Sequence, residues 1–549
     1  MRGLPLLLLI AMIAAFAFSA AKLDRNVAVE AVLERPSVSA PIDLPLSSAI
    51  TLDADQGDAL AIAVTNYGSD HVSLLHVRTD NTPVDITTGD GGHRTNRTTC
   101  VDNCVVVLRQ SGDEKGQARI TSTEGIATLH AVTFEPVTAK RHGSASGLQI
   151  LAGFSLLLLL GPVLVWLRRW PGAEQIALAV GGMVWIGVAG LSGLAVAVVF
   201  VVAGYFAITA VGAIKERRPR SLAAALVGVA LLVMLLKFAA PVMASAFANP
   251  GGLWLALPLG ISYLAIRLID LILAAHARAL RGLTMRDYLA FMLSPYTLPA
   301  GPIQLYGDFL RGRIINWSGV DFAAGAARMG VGMLKKLLAD SLLLPLVTNH
   351  MGNYLTGNEG AERSVLIMLV ANLLYIYLDF SAYCDLAIGA ARAGGRRLPE
   401  NFNWPLVRSG LRRYWRHWHM TLSQWVMRRV YFPAFLASHS TTLALTASML
   451  AIGLWHAPTI SWTFWALHHS LAMAAEGKLN PAPPASALPP TGMAAQAWAG
   501  VRHLLGMSFM IVWVALGHSF TLFAAPLVAL KTYASALTAP FVILWRLIT

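Results

Sequence analysis

His456 stands at the end of an apolar run, Leu443 to Trp455, and Ala457-Pro458 follows it. That pair ends a helix, because proline neither continues one nor lets the residue before it stay helical. A polar side chain in such a run is costly to bury and is usually functional. An imidazole there can take up a proton near neutral pH and return it. Acyl transfer to an alcohol needs this, since a hydroxyl is a weak nucleophile until a base removes its proton as it attacks. A buried histidine bonded to a backbone carbonyl fits the same position, and the residues alone leave both readings open.

A second histidine, His419, lies in Arg412-Arg413-Tyr414-Trp415-Arg416-His417-Trp418-His419-Met420-Thr421-Leu422-Ser423. On a continuous helix His419 shares a face with Trp415, Arg412 and Arg416 form a neighbouring stripe, and His417 points away to the surface. Six arginines and no carboxylate fall between Pro405 and Val430. Arg408, Arg412, Arg413 and Arg416 would make a basic strip. It either binds the phosphates of a coenzyme A or phosphopantetheine thioester or marks a cytoplasmic flank against lipid headgroups. A basic, aromatic helix followed by an intramembrane histidine suggests chemistry on an anionic carrier.

The elements that must hold these groups are membrane helices. The chain has 549 residues, 56% hydrophobic and 13% charged, whereas soluble domains carry nearer 25% charged residues. The net charge of +13 is read as cytoplasmic loops, which gives orientation and not nucleic-acid binding. Spans are expected from about Leu148, ending at Trp166-Leu167-Arg168-Arg169. Two more lie between Gln175 and Ile214 with a turn at Leu191-Ser192-Gly193, ending in Lys215 to Arg220, and another runs from about Leu222 to Ala240. Both basic clusters are placed in the cytoplasm. The segment Leu253 to Leu273 carries Arg267 and Asp270, three apart and able to pair on one face. Ser294 to Pro302 holds too many helix breakers for a straight span and is expected to be broken or re-entrant. Further spans are expected at about 339–350, 364–390, 441–457, 460–475 and 505–530, with Asn480 to Pro490 a linker. Asp379 and Asp385, in or beside an apolar helix, need partners; Lys335, Lys336 and Arg412 are available. Cys384 is expected to pack and not to react.

Residues 1–21 are a signal peptide or a first transmembrane helix, and either exports the next segment. Residues 22–143 alternate short β-type runs with turn-rich segments and predict a small β-sandwich, an accessory domain. Cys100 and Cys104 could form a disulfide there if the compartment is oxidising. No zinc-like cysteine spacing appears, so no metal site is expected.

Several motifs taken together resemble the membrane-bound O-acyltransferases, especially the bacterial branch with the alginate O-acetyltransferase and the lipoteichoic acid D-alanyl transfer protein. They are Trp415-x-x-Trp418-His419-Met420-Thr421-Leu422-Ser423, Gly453-Leu454-Trp455-His456 with Trp465 and His469, Leu378 to Gly389, and Leu398-Pro399-Glu400-Asn401-Phe402-Asn403-Trp404-Pro405. Gly260 to Tyr263, Ala300 to Ile303 and Lys335-Lys336 come earlier, so the resemblance runs from about Gly251 to the C-terminus. It implies a catalytic histidine at His456 and a second functional one at His419. Arg412, Arg416, Trp415, Trp418, Ser423 and Trp455 fall to donor and substrate binding, and Asp379, Asp385 and His469 to support. Three departures, Ala457 for a usual Gly, Ile460 for a frequent Trp, and Ala515-Leu516-Gly517-His518 for a Phe-Arg segment, leave the acyl group and acceptor open.

The expectation is therefore a mainly α, polytopic protein of the bacterial inner membrane, with roughly ten to twelve spans or part-spans in residues 148–549. It carries an extracytoplasmic β-domain in 22–143 that could meet an envelope partner. A cytoplasmic acyl-CoA or acyl-carrier-protein thioester would acylate a hydroxyl of an extracytoplasmic glycan or polymer, with no bound cofactor. The alternatives are acylation of a lipid or protein, or a transporter or flippase with a sensory β-domain.

Overall fold

The computed structural model describes strand segments between residues 28 and 136, then 147–213 apart from 190, 228–229, 261–298 apart from 281, 301–355, 360–479, 492–523 and 526–548. Residues 1–21, Lys215 to Arg220, most of the span from Leu222 to Ala240, and the linker from Asn480 to Pro490 lie outside the described residues. The chain divides into two compact units.

One unit is made of residues 22–144, 343–373 and 514–549, so it takes in Pro526–Ile548 and the first part of Ala361–Ala393 as well as a β-rich part. Its strands are β1 Ala28–Glu34, β2 Ile42–Asp43, β3 Ile50–Asp53, β4 Ala59–Thr65, β5 His71–Thr79, β6 Val84–Gly89, β7 Thr95–Cys100, β8 Asn103–Gln110, β9 Gly116–Ser122 and β10 Ile126–Pro136. They form two antiparallel sheets, β2-β1-β4-β9-β6-β7 and β3-β10-β5-β8. The period-2 alternation places Leu60, Ile86 and Ile120 of the first sheet in the interior, and Leu60 and Ile86 both pair with Ile120 across β9. Cys100 lies in β7 and Cys104 in β8; their side chains, and so their pairing, lie outside what the structure describes.

The other unit includes 145–342 and 374–513 and is helical. Ala173–Ala189 and Leu191–Ala213 are separate helices, so the long apolar run is two helices, but Leu191-Ser192-Gly193, expected as the turn, opens the second of them. Ile261–His276, Met285–Met292 and Gly319–Leu338 come next, then Ala361–Ala393, Thr441–His456 and Ile460–Leu479. The run expected as one span at 505–530 is instead two helices, Met493–Gly517 and Pro526–Ile548, with the short Ser519–Leu522 between them. Among the described residues three helices, in 361–393, 493–522 and 526–544, are long and apolar enough to cross a membrane, and 173–186, 197–213 and 441–456 are shorter apolar helices. This is a mainly helical membrane protein.

One close crossing brings the charged groups of two helices together. The backbones of Gly319–Leu338 and Ala361–Ala393 meet at Gly325 and Gly389, where a Cβ on either would lie 2.5–2.6 Å from the other's carbonyl oxygen. Small residues at that contact let the two helices approach closely. The crossing sets Arg328, Lys335 and Lys336 against the acidic residues of the longer helix.

The segment around Ser294 to Pro302 is non-helical and buried in protein where it is described. Its polar backbone needs partners there, and Arg267 supplies one of them along with two at the end of the preceding helix. The buried Arg267 guanidinium donates to the carbonyls of Phe291, Met292 and Thr297 at 3.1–3.3 Å. The expected Arg267–Asp270 pair is therefore absent. Asp270 accepts instead from Arg429 at 2.6 Å, because the carbonyls at the end of Met285–Met292 already use the Arg267 guanidinium.

Candidate active site

His456 is the last residue of Thr441–His456, and its ring is exposed. It stacks on Trp462 with ring centroids 4.7 Å apart and meets Trp455 edge-on at 4.6 Å. Ala457 turns extended, so Pro458 ends the helix as its sequence requires. Trp455 donates from Nε1 to the carbonyl of Ser262 at 3.3 Å, tying this helix to Ile261–His276. The next helix begins at Ile460 and carries a buried aromatic series. Trp465 packs against Trp462, Trp415 and His469, and His469, fully buried, also meets Trp415 at 5.1 Å.

His419 is buried, and its backbone is left-handed at φ 44°. Few non-glycine residues adopt that conformation, and it costs of order 1–3 kcal/mol unless the surroundings impose it. It divides the run into two short helices, Leu411–His417 and Met420–Val426. The expectation that Trp415 and His419 share one continuous helix face is thereby overturned. Trp415 turns to Trp465 and His469, whereas His419 enters a box of Phe380 at 4.8 Å and Tyr263 and Trp455 at 6.4 Å each. His419 lies outside the candidate spans. Burial, and secondarily the nearby His456, lower its imidazole to about 3, so the ring is neutral at physiological pH.

Asn401 holds that turn. Its carbonyl accepts from Met420 N–H at 2.8 Å, and its side-chain Oδ1 contacts His419 Nδ1 at 2.9 Å and Thr421 Oγ1 at 2.8 Å. Ser423 donates to the carbonyls of Trp415 and Trp418, folding the second short helix back on the first. Trp418 is buried against Phe402 and Tyr414.

The basic strip divides. Arg413 and Arg416 are exposed. Arg408 donates to Asn403 at 2.9 Å. Arg412 donates from Nε to the Met473 carbonyl at 2.8 Å and from its backbone to Glu476 at 2.9 Å, with its guanidinium lying over Gly477. Arg412→Ala should thus lower the melting temperature as well as raise any donor KM. Thermal unfolding in detergent beside donor titration checks this; a KM effect with parent-like melting would mean the Met473 anchor contributes nothing.

Asp379 and Asp385 take the cations of the neighbouring helix. Asp385 pairs with Lys335 at 2.6 Å and Arg328 at 2.7 Å, and Asp379 with Lys336 at 2.7 Å. Arg328 also grips Glu400 through both terminal nitrogens, fixing the loop that carries Asn401. Cys384 is buried and accepts from Asn401 Nδ2 at 3.2 Å. Sequence reasoning assigns no role to Asn401, Arg328, Tyr263, Phe380 or Trp462. The signal for Arg328 is its place about two helical turns before Lys335 and Lys336 on the same helix; Asn401 offers only its neighbourhood. Among the described residues no group of three or more His, Cys, Asp or Glu side chains comes together to hold a metal ion.

These features define a class: a helical membrane protein that presents one histidine at a helix end and buries a second in an aromatic box. The chain belongs to the membrane-bound O-acyltransferase family, whose model matches residues 222–517. That match takes in both histidines and begins before the motifs near Gly251. The chain is 31% identical to the probable alginate O-acetylase of Pseudomonas aeruginosa over 235 residues, 41% of this chain and 43% of that protein. It is 27% identical to the teichoic acid D-alanyltransferase of Bacillus subtilis over 237 residues, 39% of this chain and 58% of that protein. It is 28% identical to the peptidoglycan O-acetyltransferase of Helicobacter pylori over 203 residues, 34% of this chain and 36% of that protein. The chain thus matches between 36% and 58% of the length of these relatives.

Proposed function

We propose that this protein moves a short acyl group, acetyl or similar, from a cytoplasmic thioester to a hydroxyl of an extracytoplasmic glycan or cell-envelope polymer. The observation that carries this reading is the family match, which spans both histidines. The relatives' names, which specify acylation of alginate, teichoic acid and peptidoglycan, support the acceptor class. His456 acts as general base. The hydroxyl oxygen attacks the thioester carbonyl while its proton passes to the imidazole. The carbon–sulfur bond then breaks, and the proton goes to the departing thiolate. The helix end suits this: its last carbonyls carry partial negative charge on the side where the imidazolium forms. His419 orients a reactant, the exposed Arg413 and Arg416 offer cations to an anionic donor, and residues 22–143 form an exported β-sandwich that meets an envelope partner.

Membranes incubated with a radiolabelled acyl thioester should pass label into polymer; label in the lipid or protein fraction instead would change the acceptor class. Orientation has its own check. A single cysteine introduced near Asp90 should react with an impermeant thiol reagent in intact cells, and one near Arg217 should not. The opposite pattern would invert the topology and place residues 22–143 in the cytoplasm of an inner-membrane protein.

A further inference from the structure

We propose that Asn401 is a positioning residue that locks His419 as its Nδ1–H tautomer and so presents a bare Nε2 to the aromatic box. Hydrogen-bond direction around one buried amide fixes each proton in turn. Ile303 N–H donates to Thr421 Oγ1 at 3.0 Å. That hydroxyl lies 2.8 Å from Asn401 Oδ1 and donates to it. The backbone N–H of Thr421 also donates to Oδ1, at 3.3 Å. A backbone N–H can only donate, so the Asn401 oxygen, not its nitrogen, must lie on this side. The amide nitrogen lies on the other side, donating to Cys384 Sγ at 3.2 Å. An amide oxygen only accepts, so His419 Nδ1, at 2.9 Å, must carry a proton. A neutral ring protonated there is bare at Nε2.

Nε2 is buried and makes no hydrogen bond among the described residues. It is a lone pair inside a box of Tyr263, Phe380 and Trp455. Such a nitrogen accepts a hydrogen bond from a hydroxyl or amide N–H; it cannot donate one to a carbonyl. The box is thus matched to a hydrogen-bond donor on a reactant. That use of the nitrogen rests on the acyl-transfer reading, whereas the tautomer does not. The left-handed backbone at His419 is braced by the same residue: the Asn401 carbonyl takes Met420 N–H and its Oδ1 takes Thr421 N–H, directly after the strained turn, and Arg328 holds its neighbour Glu400.

The test uses the full-length protein in lipid bilayers with isotope-labelled histidine, and solid-state NMR identifies His419 by the resonances lost in His419→Gln. The wild type should show one neutral ring protonated at Nδ1 and bare at Nε2. Asn401→Ala should convert it to the other tautomer or a mixture, and Asn401→Asp, which keeps an acceptor at that place, should retain it. In the acyl-transfer assay Asn401→Ala should lower kcat at least about tenfold, one mis-set hydrogen bond being worth that much, while donor KM stays within about twofold. A wild-type ring protonated at Nε2, or an Asn401→Ala spectrum identical to wild type, would overturn the proposal. If the wild type transfers no label, the acyl-transfer reading fails, and the spectrum alone decides the tautomer.

Discussion

Replacing His456 by alanine is expected to abolish acyl transfer while leaving the protein folded and inserted. The base must take a proton as the hydroxyl attacks, and general-base catalysis contributes roughly 10²–10⁴-fold. His456→Gln should fail to a similar extent, since an amide can hydrogen-bond but cannot take up that proton. The structure makes this comparison clean. The His456 ring is exposed and terminates its helix, so its loss removes little buried surface, and surface substitutions of this kind usually change stability by within about 0.5 kcal/mol. His419→Ala differs, because it empties a buried box and frees Asn401, so it should reduce both activity and stability. Near-normal acylation by the His456→Gln protein, at equal membrane abundance, would remove His456 from the role of base and return the transporter reading to consideration.

Much of the site's framework is legible in the sequence where a physical cost forces a local solution. An apolar run closed by His456-Ala457-Pro458 has to end a helix there. Asp379 and Asp385 in an apolar helix have to find cations, and Lys335 and Lys336 are among those the fold supplies, with Arg328 the one left unread. Breakers from Ser294 to Pro302 have to interrupt a span. What stays hidden is solved by backbone groups, which look alike at every position. Arg267 has a carboxylate three residues away and takes carbonyls instead. The turn at His419 sits in a run with good helical pattern and no glycine or proline. Tertiary bonds from Asn401, eighteen residues upstream in the chain, brace its left-handed backbone. Neither propensity nor periodicity carries a signal for such a bond.

Arg168 is equally hidden, and the cluster it joins should give the second large effect. In the sequence it is half of a basic flank. In the structure its guanidinium is turned inward onto Glu174, which also accepts from Arg396 and pairs with Arg313, at 3.0–3.3 Å. The side chains of Glu174, Arg168 and Arg396 are 5–10% exposed. Arg168 further donates to the carbonyls of Ile314 and Gly395, and Arg396 to that of Phe309 while lying over its ring. One carboxylate therefore balances two buried guanidiniums that join the ends of three segments. Glu174→Ala should strip that balance, and removing one partner of a buried ion pair costs about 3–5 kcal/mol. The half-exposed Arg313 should add little. Because such proteins often unfold irreversibly, the measurement is the shift of the melting midpoint at one scan rate, with membrane abundance beside it. Glu174→Ala should lower both sharply. Combining Glu174→Gln with Arg396→Met removes one charge of each sign and should recover part of the loss relative to Glu174→Gln alone, since contacting residues are not additive. A parent-like midpoint for Glu174→Ala, or no recovery in the double variant, would show that the carbonyl contacts and not the carboxylate hold the two arginines in place.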